Sequence, residues 1–236
     1  MISIIYPFFN QHKALAHHHL HWMRLMHEDV EFEVILVDDH SDKIPAVSDW
    51  SRAFPLRLFR VDEDKGWNIT GAKNIGMHEA NSNWCFVGDL DHLCTLEMMR
   101  YAMRAPLEDK HFYIFPRRDE QGRETEDYHE NFMLIRKKDF WHVGGYDEDF
   151  AGGYGWEDVW FKEMAFARGM QRVKVPQVFS QAIGDIEDAC MPAKLRDSSR
   201  NGKLLQRKRT TWINSKKARL WAENSNPLRC KYHEVV

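Results

Sequence analysis

Three acidic pairs stand out among the 236 residues: Asp38 and Asp39 in VDDHSD, Asp89 and Asp91 in GDLDH, and Glu157 and Asp158 in YGWED. In extended backbone, residues two apart project to the same side, so Asp89 and Asp91 face together with Leu90 opposite. Two neighbouring carboxylates repel, and a divalent cation reconciles them, with phosphate oxygens able to fill its remaining positions. Oxygen ligands favour Mg²⁺ or Mn²⁺, and an imidazole such as His92 shifts the preference toward Mn²⁺. An Asp-x-Asp pair serves equally as a polar strand end facing water. Asp38 and Asp39 can accept hydrogen bonds from base or ribose groups, or cap the following turn as Asp and Ser do routinely. The third pair follows Gly144, Gly145, Gly152, Gly153 and Gly155. Those glycines argue against a plain helix or strand there, yet a helix is expected from Asp158. Glu157 and Asp158 suit a helix start, whose dipole favours negative charge. A carboxylate there also suits a general base that takes a proton from a hydroxyl.

Other segments carry weaker signals. KGWNITGAKNIG (65–76) is glycine-rich before a helix but lacks the Gly-Lys-Ser/Thr of a phosphate loop. Thr70 reads there as an N-cap, and Lys73 is free to meet a diphosphate. His17 and His21 lie four apart in a histidine-rich helix and read as a solvated face away from the acids. Cys85, Cys94, Cys190 and Cys230 are scattered, which fits core positions in a reducing compartment. Residues 194–219 carry Lys194, Arg196, Arg200, Lys203, Arg207, Lys208, Arg209, Lys216, Lys217 and Arg219 against Asp197 alone. With Trp212 among them they admit a nucleic-acid reading, but the net charge of −3 argues against it. A solvated helix or a clamp over an anionic ligand is expected instead.

The elements that must position these residues alternate. Apolar runs predict strands at 2–6 (stopped by Pro7), 32–39, 56–62, 84–91, 111–116 and 171–180, with a further strand from 131 that leads into a helical turn. Helical spacing predicts helices at 12–27, 70–81, 96–104 and 158–168. The alternation implies an α/β fold with a mostly parallel central sheet and helices on both faces. Ligands of such sheets bind beyond the carboxyl ends of the strands, where Asp38, Asp39, Asp89 and Asp91 fall. From about residue 186 the composition turns basic, and the last dozen residues are expected to fray. The N-terminal MISIIYPFFN has no basic stretch before a long apolar run, and no window approaches a membrane span. The expected location is cytoplasmic.

The order of the blocks is more specific than any one of them. PFFN after the first strand, VDDHS after the second, GAKNIG opening a helix, DLD after the fourth strand, and GGYDEDF…YGWED resemble the family 2 glycosyltransferases of GT-A fold. The last block is also similar to the GWED segment of galactosyltransferases with that fold. The resemblance runs from Ile2 to about residue 180. It implies a GT-A (Rossmann-like) transferase domain over 1–185 and a basic helical C-terminal extension over 186–236. It implies inverting, metal-dependent transfer from a nucleotide sugar, most often a uridine one, to a hydroxyl of a glycan or other acceptor. Carried over residue by residue, Asp158 is the catalytic base, and Gly155, Trp156 and Glu157 line the acceptor site. Pro7 and Phe8 meet the nucleoside, Asp39 with Asp38 the base, Lys73 (where arginine is usual) the diphosphate, and Asp89 the ribose. Asp91 holds Mn²⁺ or Mg²⁺. Many relatives add a histidine ligand after the last strand, whereas VFSQAIGDIED offers Gln181, Asp185 and Asp188. NGKLLQRK (201–208) resembles basic segments that fold over the diphosphate. The alternative is a non-catalytic carbohydrate- or nucleotide-binding module of the same fold. A nucleotidyltransferase would need a glycine-rich basic loop after the first strand, which YPFFNQHK is not.

Overall fold

The computed structural model describes residues 1–184, 196–214 and 228–236. Four parallel strands make its centre: β3 (Leu56–Val61), β2 (Phe32–Asp38), β1 (Ile2–Phe8) and β4 (Trp84–Val87), side by side in that order. Every residue of β1 and β2 is buried, as expected of parallel strands covered on both faces, and this is why they read as unbroken apolar runs. One face packs Ile5, Ile35 and Val37 against α2 (Ile69–Glu79), α4 (Lys137–Val143) and α5 (Glu157–Ala167). The other packs Ile4, Tyr6 and Leu36 against α1 (His12–Leu25) and α3 (Leu96–Arg104). The architecture is the expected α/β one, with helices on both faces of a central, mostly parallel sheet.

Beyond β4 the sheet becomes mixed. The 13-residue β7 (Glu124–Arg136) runs antiparallel between β4 and β6 (His111–Arg118). β6 also pairs in parallel with β8 (Gln171–Lys174) and β9 (Ser180–Ala182), and the two-residue β5 (His92–Leu93) closes that edge against β9. β8 and β9 replace the single strand expected over 171–180, with Pro176 lying in the turn between them.

Several expectations change at the strand ends. Pro7 does not stop β1 and pairs with Val37. β4 reaches only as far as Ile5, so at Pro7 the strand has one neighbour and a missing N–H costs little. The fourth strand ends at Val87 rather than 91, because Gly88 turns the chain out under the Phe132 ring, and a Cβ there would lie 2.8 Å from it. The cap of α2 is Asn68, which accepts from Gly71 N at 3.0 Å, not Thr70.

Residues 228–236 do not fray as expected: β10 (Tyr232–Glu234) adds an antiparallel edge strand to β3. The basic segment forms α6 (Ser199–Asn214), whose Leu205 is buried in the same cluster as Phe140 and Phe161. Its cations are partly spent inside the molecule. Lys208 pairs with Asp147 at 2.7 Å and Asp149 at 2.6 Å, and Arg209 pairs with Glu163. Lys194, Lys216, Lys217, Arg219, Asp185, Asp188 and Cys190 lie outside the described residues. Among the described residues no helix is long and apolar enough to cross a membrane.

Candidate functional site

The carboxyl ends of β1, β2 and β4 and the N-terminus of α5 open onto one cleft with a cavity volume of about 280 Å³. Pro7, Phe8, Asp39, Asp89, Asp91, Gly155, Glu157 and Asp158 all line it, together with Arg196. Eight of the expected site residues, drawn from four separate stretches of sequence, therefore face one space. Asp38, Lys73 and Trp156 are not among those lining it.

Asp38 and Asp39 divide their labour. Asp38 is fully buried, accepts from Ser41 N at 3.0 Å and pairs with Arg60, so its carboxylate is committed to the turn after β2. Asp39 accepts from Asn68 N at 2.5 Å and still faces the cleft. Burial pushes its carboxyl up to about 7 against the Asn68 hydrogen bond, and neighbouring Asp38 adds to the rise.

Lys73, expected at a diphosphate, points instead into the protein. It is 2% exposed, and its Nζ lies 2.7 Å from Asp89 Oδ1 and 5.4 Å from the Tyr146 ring centre. Burial opposes its charge, but Asp89 and the electron-rich Tyr146 outweigh that and raise its pKa. A lysine desolvated this far keeps its proton because its partner sits on it.

Asp91 lies in a nest of imidazoles. Its Oδ1 is 2.9 Å from His92 Nδ1 and 3.8 Å from His129 Nε2, and the His92 and His129 rings meet edge to face at 3.9 Å. One ligand atom from each residue falls within 4.8 Å of the others, a spacing that fits a metal ion. His92 Nε2 and His129 Nδ1 are buried without a hydrogen-bond partner. Burial would raise the Asp91 carboxyl, but the hydrogen bond and charge of His92, with His129 and Lys73, hold it below the usual range. Burial and His92 press His129 down to about 4, so it sits as the neutral imidazole that metals bind.

His129 was not foreseen, because the polar start of β7 reads as loop. The register contains the signal. Val87 faces Met133 across an antiparallel pair, and continuing that register past the end of β4 sets Asn131 beside Asp89 and His129 beside Asp91. Of the α1 histidines expected on a solvated face, His17 is exposed, but His21 and its neighbour His18 turn toward the loop after β4. His18 is buried and donates to Leu90 O at 3.0 Å, and His21 donates to Cys94 O at 2.7 Å. Burial lowers the pKa of His18 to about 3 and lowers that of His21 as well, so both stay neutral donors. Tyr6 hydroxyl donates to His92 O at 3.1 Å and accepts from Cys94 N at 3.0 Å. Three side chains thus grip the backbone of residues 90–94.

The glycine-rich loop is held from α6. Asn201, buried, donates to Phe150 O at 3.1 Å and Gly155 O at 3.0 Å, and Arg200 donates to Ala151 O at 2.9 Å. Trp156 then takes a left-handed conformation (φ 72°) just before α5, a rare state for a bulky residue. Its ring is 39% exposed beside Gly202. Glu157 is buried, and burial pushes its carboxyl up to about 7, with neighbouring Asp158 adding to the rise. Asp158 faces the cleft and pairs with Lys162 at 3.0 Å.

A family model described as glycosyl transferase family 2 matches residues 3–170. No curated protein sequence matches. Among solved structures, Staphylococcus aureus TarS 1-349 aligns with a TM-score of 0.69 at 13% identity, covering 91% of this chain and 66% of that one. Mannosyltransferase PcManGT from Pyrobaculum calidifontis, solved with GDP-Man and Mn²⁺, aligns at 0.62 and 17% identity, covering 94% and 68%. A Drosophila β1,4-galactosyltransferase 7 mutant, solved with manganese, UDP-Gal and xylobiose, aligns at 0.56 and 15% identity, covering 87% and 79%. The chain spans 66% of the TarS fragment's length and 44% of a longer TarS chain. At these identities the structural likeness speaks for the GT-A fold.

Proposed function

The chain belongs to glycosyl transferase family 2, and from that premise we propose that it moves a sugar, with inversion, from a UDP-linked donor to a hydroxyl of a glycan or other acceptor. The observation that carries this reading is the single cleft shared by Asp39, Asp89, Asp91, Glu157 and Asp158. Nucleotide-sugar complexes of TarS and PcManGT, of the same fold, support it.

In this reading Asp39 accepts hydrogen bonds from the nucleobase against Pro7 and Phe8, and Asp89 uses the oxygen that Lys73 leaves free to meet the ribose. Asp38 helps only by fixing the turn. Asp91, His92 and His129 fit a divalent cation, given that one ligand atom from each lies within 4.8 Å of the others. A bound cation would supply Lewis-acid stabilisation to the leaving diphosphate. Arg196, on the rim, adds positive charge toward the same phosphates. Trp156 and the backbone at Gly155 give the acceptor sugar a flat apolar wall and close approach. Asp158 takes the proton of the acceptor hydroxyl as that oxygen attacks the anomeric carbon. Glu157, near half-protonated at neutral pH, exchanges hydrogen bonds with acceptor hydroxyls.

A non-catalytic binding module is the second reading, favoured by the Lys162–Asp158 ion pair, which gives the carboxylate a structural partner. The test is a panel of UDP-, GDP-, CMP- and dTDP-sugars with metal, read by binding and by slow donor hydrolysis. Hydrolysis of a UDP-sugar supports transfer. Binding without any turnover favours the module, and no binding of any nucleotide sugar removes the transferase and leaves only a module that binds carbohydrate.

A further inference from the structure

We infer that Asn131, on β7, is a specificity residue of the transfer. Its side-chain amide takes a hydroxyl of the transferred sugar and so selects donors that carry that hydroxyl. The inference rests on the transferase reading above and adds the residue that reads the sugar itself.

The cleft has an order along the strand ends. β2, β1, β4 and β7 are successive neighbours in the sheet. Asp39 follows β2, Pro7 and Phe8 close β1, Asp89 follows β4 and Asn131 lies on β7, and all five line the cleft. A donor laid with its base at Asp39 and its ribose at Asp89 carries its sugar onward to β7. The acceptor side gives the same place. The anomeric carbon is bonded to the diphosphate and attacked by the oxygen that Asp158 deprotonates, so the sugar lies between the Asp91 side and Asp158. Three consecutive residues of β7 span that interval. His129 Nε2 is 3.8 Å from Asp91 Oδ1, and Glu130 is 3.5 Å from Lys162, which pairs with Asp158 at 3.0 Å. Asn131 alone of the three lines the cleft.

The backbone aims this side chain. β7 pairs Met133 with Ile114 and Tyr128 with Pro116, so residues 129–132 stand opposite Phe115 alone. Such a bulge bends its strand and redirects side chains, as strands beside active sites do. The amide has no employment inside the protein. Asn131 Oδ1 is buried without a hydrogen-bond partner, an arrangement that costs stability until something donates to it. Phosphate oxygens and the Asp89 carboxylate only accept, so neither can satisfy it. A sugar hydroxyl both donates and accepts, and it serves the amide whichever way oxygen and nitrogen are turned.

The test uses the full chain with Mn²⁺ and follows hydrolysis of UDP-hexoses and their monodeoxy analogues. The parent should use the analogue lacking the contacted hydroxyl about ten- to a hundredfold less well in kcat/KM. Asn131→Ala should lose a similar factor on the full donor and show no further loss on that analogue, while UDP binds as it does to the parent. Its Tm should hold or rise, because an unpaired polar group has been removed. Asn131→Ser, which keeps a hydroxyl, should recover part of the rate. Parent-like use of the full donor by Asn131→Ala, or discrimination that persists in it, would overturn the inference. So would equal weakening of UDP and UDP-hexose, or a fall in Tm with rates unchanged, which marks a structural asparagine. If the parent neither binds nor hydrolyses any UDP-sugar, the UDP-sugar transferase reading fails and this inference with it. Parent turnover that is indifferent to Asn131 sinks this inference alone.

Discussion

On one side of the cleft Asp39, Asp89 and Asp91 follow strands hydrogen-bonded along both edges. On the other, Glu157 and Asp158 follow a glycine-rich loop held at its start by Asn74 and Trp67 O and, nearer the two acids, by a helix some fifty residues later. The strand side holds its acids by local and sheet-borne partners: Asn68 on Asp39, Lys73 on Asp89, and the imidazoles on Asp91. The loop side depends on Asn201, Arg200 and Lys208 of α6, and it stores backbone strain at Trp156. The contrast suggests that one half is rigid before any ligand arrives, while the other can be tuned by what α6 does. It also explains how a basic C-terminal helix bears on the site without any residue of that helix lining the cleft.

The contrast breaks most sharply at Lys73. Lys73→Met should cost about 3 kcal/mol, because removing one partner of a buried pair leaves the other uncompensated. Asp89 is 23% exposed, which keeps the loss at the low end of that range. Urea unfolding should show the midpoint falling with little change in slope. A loss under about 0.5 kcal/mol, as for surface pairs, would mean the strand side is not held this way.

Asn201→Ala is the counterpart on the loop side. It leaves the carbonyls of Phe150 and Gly155 unpaired, at a cost of about 1–3 kcal/mol. UDP affinity should stay unchanged while KM for the acceptor rises. Equal weakening of both would erase the division between the two sides.

A third prediction concerns pH. The carboxyls of Asp39 and Glu157 are both raised to about 7 by burial, above the unfolded values of about 4. Between those limits the folded state binds more protons than the unfolded one, so these groups make stability fall as pH rises from about 4 to about 7. In Glu157→Gln the fall in Tm over that interval should be shallower. An unchanged slope would contradict the burial argument. The smallest effect is expected of Trp156→Gly. Glycine relieves the left-handed strain, worth about 1–2 kcal/mol, but gives back part of it in unfolded-state entropy. Stability should move by less than about 1 kcal/mol while acceptor KM rises, and a large loss of stability would recast Trp156 as a packing residue.

What was legible in the sequence followed the same division. The parallel strands and the cleft-facing Asp39, Asp89 and Asp91 were readable because burial on both faces writes continuous apolar runs that end in acids. The beginning of β7 was not, because ETEDYHE is half-exposed and polar and its pairing is set by β4 and β6. That concealed His129. The roles of His18, His21 and Asn201 depend on which loop packs beneath each helix, which no local periodicity records. Lys73 was placed at a phosphate because its charge was visible and its burial was not.

The central claim is that Asp158 serves the acceptor while the strand side serves the donor. Asp158→Asn keeps the shape and suits a helix start, but it cannot take up the proton. Transfer to acceptor, UDP-sugar affinity and Tm should be measured together on this one variant. A drop in transfer of about 10²–10⁴ with donor affinity and Tm nearly unchanged is the predicted result. Wild-type transfer by a folded Asp158→Asn protein would contradict it.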